Sequence, residues 1–271
     1  MSSSGTPSYS LPDLLRVMER LRDPETGCPW DLQQDFRSIV PSTLEECYEL
    51  AHAIEQDDFE HIAEELGDVL FQVVFYAQLG RERDLFSFEQ VVSSLVEKLV
   101  RRHPHVFAGG RIEGIVQADV EVGQVNATWE AIKQEERGAR ALHGALDDVP
   151  VALPALPRAQ KLQKRAARTG FDWADSAGAL KKLEEELEEL RSALATGNTE
   201  SIGEEMGDLL FSCVNVCRHL RLDAERTLRD ASSKFERRFR YMEAAAASEG
   251  LDMSALDDAA LDALWERAKG A

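Results

Sequence analysis

An acidic pattern that occurs twice at a constant spacing constrains this chain more than any other feature. Glu45-Glu46-x-x-Glu49 precedes Glu65-x-x-Asp68, and Glu185-Glu186-x-x-Glu189 precedes Glu205-x-x-Asp208, an offset of 140 between Asp68 and Asp208. The surroundings repeat too: Glu64-Glu65-Leu66-Gly67-Asp68-Val69-Leu70-Phe71 matches Glu204-Glu205-Met206-Gly207-Asp208-Leu209-Leu210-Phe211. Further on, Lys98, Arg101 and Arg102 match Lys234, Arg237 and Arg238, and Trp129 and Lys133 match Trp265 and Lys269. A repeat this long exceeds a solenoid unit, so tandem duplication of one domain is the simpler reading.

Nearly every segment carries helical periodicity. Candidate helices cover 11–22, 43–56, 58–80, 87–102, 126–140, 156–168, 177–195, 199–220, 223–248 and 255–269. Ser42-Thr43-Leu44-Glu45 reads as a capping box opening the second, and Asp57-Asp58 places negative charge at the start of the third. The one β-leaning stretch, 112–125, is broken by Gly and charge. The expected fold is all-α, a helical bundle made of two duplicated domains. Pro150, Pro154 and Pro157 interrupt helix between them. The expected division is 1–143, a proline-rich linker 144–157, and 158–271.

Residues three or four apart share a helix face, so Glu46 with Glu49, and Glu65 with Asp68, each project together. Short turns near Gln56-Asp57 and Thr196-Gly197-Asn198 make the two helices of each half antiparallel neighbours. Four carboxylates then converge in each half, a hard-oxygen set suited to Mg²⁺ or Mn²⁺. An acidic run alone is more often a solvated helix face. Asp68 and Asp208, however, each precede an apolar run and are expected to be buried, which is costly for an unpaired carboxylate. Gly67 and Gly207 sit mid-helix, either for close helix packing or to leave room for a ligand. A di-iron reading through Glu49-Leu50-Ala51-His52 is weakened because Ser192 stands where the second half would need His.

Composition sharpens this. The 271 residues carry 50 Asp+Glu against 31 Lys+Arg, a formal charge of −19. That field opposes nucleic-acid backbones and anionic membranes as partners, and a polyphosphate substrate needs intervening cations. The basic trios, with Trp129/Lys133 and Trp265/Lys269 one turn apart, stand out as anion and base contacts; the plain alternative for Trp265 is a core anchor. Cys213 and Cys217 lie in an apolar run and read as buried free thiols. No apolar run approaches membrane-spanning length, and the opening MSSSGTPSYS offers no signal-peptide core, so a cytoplasmic location is expected.

Taken with Gly27-Cys28-Pro29-Trp30-Asp31, Arg101-Arg102-His103-Pro104-His105, Gly170-Phe171-Asp172-Trp173 and Lys234-Phe235-Glu236-Arg237-Arg238, the acidic pairs resemble those of MazG-type nucleoside triphosphate pyrophosphohydrolases. These form an all-α superfamily, and the resemblance is to its two-domain bacterial form. It implies hydrolysis of NTP to NMP and diphosphate with Mg²⁺, broad base tolerance, and a homodimer. It assigns the metal to Glu186, Glu189, Glu205 and Asp208, with Glu185 orienting water beside Glu186. Nucleotide contacts carry over to Lys182, Lys234, Arg238, Trp265 and Lys269. The first half keeps a parallel set, Glu46, Glu49, Glu65, Asp68, Lys98, Arg102, Trp129 and Lys133. In relatives that half is mainly structural. Ser201 stands where close relatives carry Lys, so one phosphate contact is expected to be missing or supplied from elsewhere. The competing reading is a non-catalytic helical protein that senses nucleotides or binds a partner. A (p)ppGpp hydrolase would need an HD-type His-Asp pair, which is not visible.

Overall fold

The computed structural model describes residues 8–114, 121–139 and 144–270. Within the second stretch, the side chains of Val122, Asn126, Ala127, Glu130, Lys133, Gln134, Arg137 and Ala139 are outside the description. Among the described residues there is helix and no strand. The chain divides into two compact units between Gln134 and Glu135. None of the described helices is long and apolar enough to cross a membrane.

The first unit contains α1 (Leu11–Leu21), α2 (Pro29–Gln33), α3 (Val40–Glu55), α4 (Phe59–Glu82), α5 (Phe88–Arg102) and most of α6 (Val122–Ala139). Its centre is the α3–α4 hairpin, against which α1 and α5 pack. Gln56 caps α3, Asp57 takes a left-handed φ of 55°, and Asp58 caps α4 by accepting from the His61 N–H at 3.2 Å. Met18, Ile39, Val74, Phe75 and Leu79 form the core. Arg22 is buried over the Phe75 ring, 5.3 Å from its centroid, and its guanidinium bonds Glu82 at 2.6 and 2.8 Å. Burial works against the Glu82 charge, but Arg22 and Gln78 overcome it and hold that carboxyl below its ordinary value.

The second unit repeats the hairpin. Its helices are α7 (Ala155–Ala167), α8 (Ser176–Thr196), α9 (Thr199–His219), α10 (Ala224–Ser248) and α11 (Asp258–Lys269). The α8–α9 turn is two residues long. Gly197 closes α8 at φ 69°, a left-handed value that a Cβ would penalise, and Asn198 caps α9 by accepting from the Glu200 N–H at 3.0 Å. Gln160 on α7 clamps the next turn, donating to Leu222 O at 2.7 Å and accepting from Ala224 N–H at 3.1 Å. Met242, Ala246, Leu264 and Ala268 join α10 to α11.

Several sequence expectations are corrected. The helix expected from Thr43 begins at Val40, because Pro41 fits a first turn where its missing N–H costs nothing. The capping-box residues lie inside the helix, and the Thr43 hydroxyl bonds back to Ile39 O at 3.0 Å. The short α2 was not anticipated; Pro29 starts it, and its 5 residues are too few to show a period. Cys213 is exposed and Cys217 half-buried, since the apolar run spreads around α9 and includes positions that no neighbouring helix covers. Part of the β-leaning stretch, 115–120, lies outside the described residues.

Asp172 tests the second unit. A hydrogen bond from Arg218 is the main cause holding its carboxyl below the ordinary value of 3.8. The associated stability is fully present above pH 3.8 and is lost as pH falls through the lower folded value. Asp172→Asn is expected to lower the second unit's urea midpoint at pH 7, with the difference shrinking under acid. In the first unit Phe75→Ala is expected to cost about 3–5 kcal/mol, read from the same denaturation curves.

Candidate metal and nucleotide site

Both acidic motifs arrive at the hairpins as the helical period requires. On α8, Lys182, Glu186 and Glu189 fall on successive turns of one face; on α9, Glu205 and Asp208 do the same. Glu186, Glu205 and Asp208 each offer an oxygen, and these atoms lie within 4.8 Å of one another. In the first unit the corresponding set is Glu46, Glu49 and Glu65, also within 4.8 Å. Three of the four expected ligands therefore meet in each unit, and the outlier differs: Glu189 in the second, Asp68 in the first. Each outlier still acts electrostatically on its cluster. Burial first, then repulsion from Glu186 and Glu205, raises the Glu189 pKa, against an opposing pull from Lys182. Burial first, then Asp68, Glu49 and Glu65, raises that of Glu46. Glu65 is raised by burial and then by Glu49 and Asp68.

The expected burial of Asp68 and Asp208 is overturned: both are exposed. The apolar residues after them do not turn the whole helix inward, because Leu66, Leu70, Met206 and Leu210 are exposed as well. The buried carboxylate is Glu186, 6% exposed. Its charge is matched by Lys182, whose ammonium lies 2.8 Å from Glu186 Oε1 and 2.6 Å from Glu185 Oε1. Hydrogen bonds to Glu185 and then Glu186 push the Lys182 pKa upward, so this group stays charged and cannot serve as a base. In the first unit, Glu65 Oε2 is buried with no hydrogen-bond partner. An orphaned oxygen among mutually repelling carboxylates is a donor set that a hard divalent cation would satisfy. His52 is exposed and belongs to neither cluster, which removes the support for a di-iron arrangement.

Gly67 and Gly207 have nothing within 4 Å of where a Cβ would stand. Close packing within this chain is therefore not what these glycines serve; the space beside each acidic motif is open.

Of the basic and aromatic residues, only Lys182 touches the carboxylates of the second unit among the described contacts. Arg238 lies over the Trp265 ring at 5.6 Å, Trp265 packs on Phe235 at 5.6 Å, and Lys269 bonds Glu266 at 2.5 Å. Trp265 also covers the α10–α11 core, as the plain reading held. Lys234 is exposed on α10. In the first unit, Trp129 packs edge-on against His103 at 5.3 Å, while Lys98 and Arg102 are half-buried on α5. The Lys133 side chain lies outside the described residues. Ser201 sits in the first turn of α9, its N–H directed to Asn198.

A feature the sequence reading missed adjoins the second cluster. A cavity of about 580 Å³ reaches from Glu186 and Asp208 to Gln163, Phe171, Trp173 and Asn215. Only the Phe171-Asp172-Trp173 motif signalled it in the sequence; Gln163 and Asn215 belong to no charged pattern.

With this geometry in place, similarity to known proteins is informative. The MazG nucleotide pyrophosphohydrolase domain matches twice, over residues 34–107 and 175–242. The chain belongs to the MazG family. It is 48% identical over 258 residues to the nucleoside triphosphate pyrophosphohydrolase of Escherichia coli K12, covering 94% of this chain and 95% of that one. It is 43% identical over 258 residues to the nucleoside triphosphate pyrophosphohydrolase/pyrophosphatase MazG of Thermotoga maritima, covering 95% of each. The crystal structure of a mazG-related protein from Thermotoga maritima aligns with a TM-score of 0.38 at 23% identity, over 46% of this chain and 99% of that one. The MazG matches place both acidic motifs inside family domains.

Mn²⁺ titration of the full chain is expected to show saturable binding. Glu205→Gln should weaken the second-unit site at least about tenfold, and calorimetry would register the change.

Proposed function

We propose that this MazG protein is a nucleoside triphosphate pyrophosphohydrolase that converts NTP and water to NMP and diphosphate with Mg²⁺, or Mn²⁺ in its place, and tolerates different bases. The observation that carries this is the convergence of Glu186, Glu205 and Asp208 from two helices to within 4.8 Å. With Glu189 they would hold the ion. When bound, it supplies charge neutralisation for the phosphates and a lowered pKa for water.

The chain's own residues supply the rest. Water oxygen bonds to the α-phosphorus, the bond to the bridging oxygen breaks, and diphosphate leaves with the electron pair. Glu185 orients the water and takes its proton, with Glu186 beside it. Lys182, held charged by these two carboxylates, steadies them and would meet the incoming phosphates as a point charge. Lys234 and Arg238 stabilise charge on the leaving diphosphate, and Lys269 and Trp265 complete the nucleotide contacts. Glu46, Glu49, Glu65, Asp68, Lys98, Arg102, Trp129 and Lys133 form the second, vestigial set. Catalysis belongs to the unit from Glu135 onward, the proline-rich 144–157 leading into it.

The homodimer belongs to the same proposal. Leu66, Leu70, Leu187, Met206 and Leu210 are exposed beside the acidic motifs, and apolar surface of this kind marks an interaction face. Leu210→Arg is expected to shift the sedimentation equilibrium toward monomer.

Purified protein with Mg²⁺ should release NMP and diphosphate; NDP with phosphate would overturn the reading. Asp208→Ala is expected to lower turnover at least about 100-fold, the scale of charge stabilisation at a metal site. Asp68→Ala should leave most of it. The reverse pattern would move the active site to the first unit. Nucleotide binding without turnover would favour a sensor.

A further inference from the structure

We propose that His103 and His105, the histidine pair of the Arg101-Arg102-His103-Pro104-His105 motif in the first unit, form a binding site for a Zn²⁺-type divalent ion. The site is separate from both acidic clusters, neither of which contains a histidine. Imidazole nitrogens suit Zn²⁺, Cu²⁺ and Ni²⁺, whereas carboxylates suit Mg²⁺ and Mn²⁺, so the two kinds of site select different ions.

The His103 ring is already set as a ligand. Its Nδ1 lies 2.6 Å from Leu99 O, one turn back on α5. A carbonyl only accepts, so Nδ1 carries the proton and Nε2 keeps its lone pair for an ion. A backbone carbonyl on the second ring nitrogen is how metal-bound histidines have their tautomer and orientation fixed. His105 is half-buried and, among the described residues, makes no hydrogen bond or ion pair, so either of its nitrogens can take the ligand role. The chain turns tightly around the pair: the N–H groups of Val106 and Phe107 both donate to His103 O, at 2.9 and 3.0 Å.

Spacing and field agree. The ring centroids of His103 and His105 are 5.6 Å apart, with their planes at 55°. Metal–nitrogen bonds of about 2.0–2.1 Å, at a tetrahedral or somewhat wider angle, place two imidazole centroids about 5–6 Å apart. The pair follows directly on the C-terminal end of α5, where the partial negative charge of the last carbonyls favours a cation. Arg101 and Arg102 have partners of their own. Trp129 meets the His103 ring edge-on at 5.3 Å and Phe107 does so at 6.5 Å, which holds the ring in place.

The second unit is the internal comparison. At the offset of 136 that relates Lys98 to Lys234 and Trp129 to Trp265, Phe239 and Tyr241 stand in the places of His103 and His105. Phe239 stacks on Phe235 at 5.9 Å. Neither residue offers a nitrogen, so one such site per chain is expected.

Metal binding tests this without reference to hydrolysis. Zn²⁺ titrated into the full chain in excess Mg²⁺, followed by calorimetry, is expected to fill one site per chain. His105→Asn removes a ligand that makes no hydrogen bond, so it should weaken Zn²⁺ at least about tenfold and leave the urea midpoint of the Zn²⁺-free chain unchanged. His103→Asn should weaken Zn²⁺ by a similar factor. Glu65→Gln and Glu205→Gln, one in each acidic cluster, should leave Zn²⁺ affinity as it is. Cu²⁺ at the same nitrogens lies close to Trp129, so its quenching of tryptophan fluorescence should fall in Trp129→Phe and in His105→Asn. No saturable Zn²⁺ binding in Mg²⁺, affinity unchanged in both histidine variants, or affinity lost in Glu65→Gln instead, would overturn the proposal. None of these results bears on the reaction proposed for the second unit, which its product assay decides.

Discussion

Mutual repulsion among carboxylates held on paired helices is the constraint around which each unit is arranged. Burial raises the proton affinity of Glu46, Glu65 and Glu189, and like charges this close add to the effect. Such a set persists only where the backbone leaves it no alternative. The α3–α4 and α8–α9 hairpins provide that rigidity through very short turns, closed by Asp57 and Asp58 in one and Gly197 and Asn198 in the other. Lys182 relieves part of the repulsion in the second unit by pairing with the buried Glu186. No equivalent pairing reaches Glu65 Oε2 in the first, which is left without a partner.

The two units spend their remaining helices differently. In the first, α1 and α5 close over α4, and Phe75, Val74 and Leu79 complete a core braced by Arg22 and Glu82. In the second, the corresponding stretch of α9 carries Asn215 and Arg218, and the Phe171–Trp173 segment borders a cavity where the first unit has packed side chains. Buried apolar contact stabilises the first unit; in the second, Gln163 Oε1 is buried without a hydrogen-bond partner.

Exposed apolar residues near both acidic motifs belong to the same picture. Each unit leaves apolar side chains of its own hairpin at the surface, Leu66 and Leu70 in the first and Met206 and Leu210 in the second. The open space at Gly67 and Gly207 lies on the same helical segments.

Sequence alone determined the helical class, the duplication, the turns and the residues of the acidic motifs, because each is a local property. Helical periodicity, capping residues and spacings of three or four are written within a few turns of chain. The MazG resemblance was legible for the same reason, since its motifs are short and contiguous. What only the tertiary structure decided depends on neighbours distant in sequence. Glu186 is the buried carboxylate and Asp208 is exposed, a difference that the burial of each helix face decides. The Lys182–Glu186 pair is local, one turn apart on α8, but that the α10 trio makes no described contact with the cluster depends on how α10 packs. Gln163 and Asn215 line one cavity because α7 and α9 pack together. No pattern within a single helix contains that information.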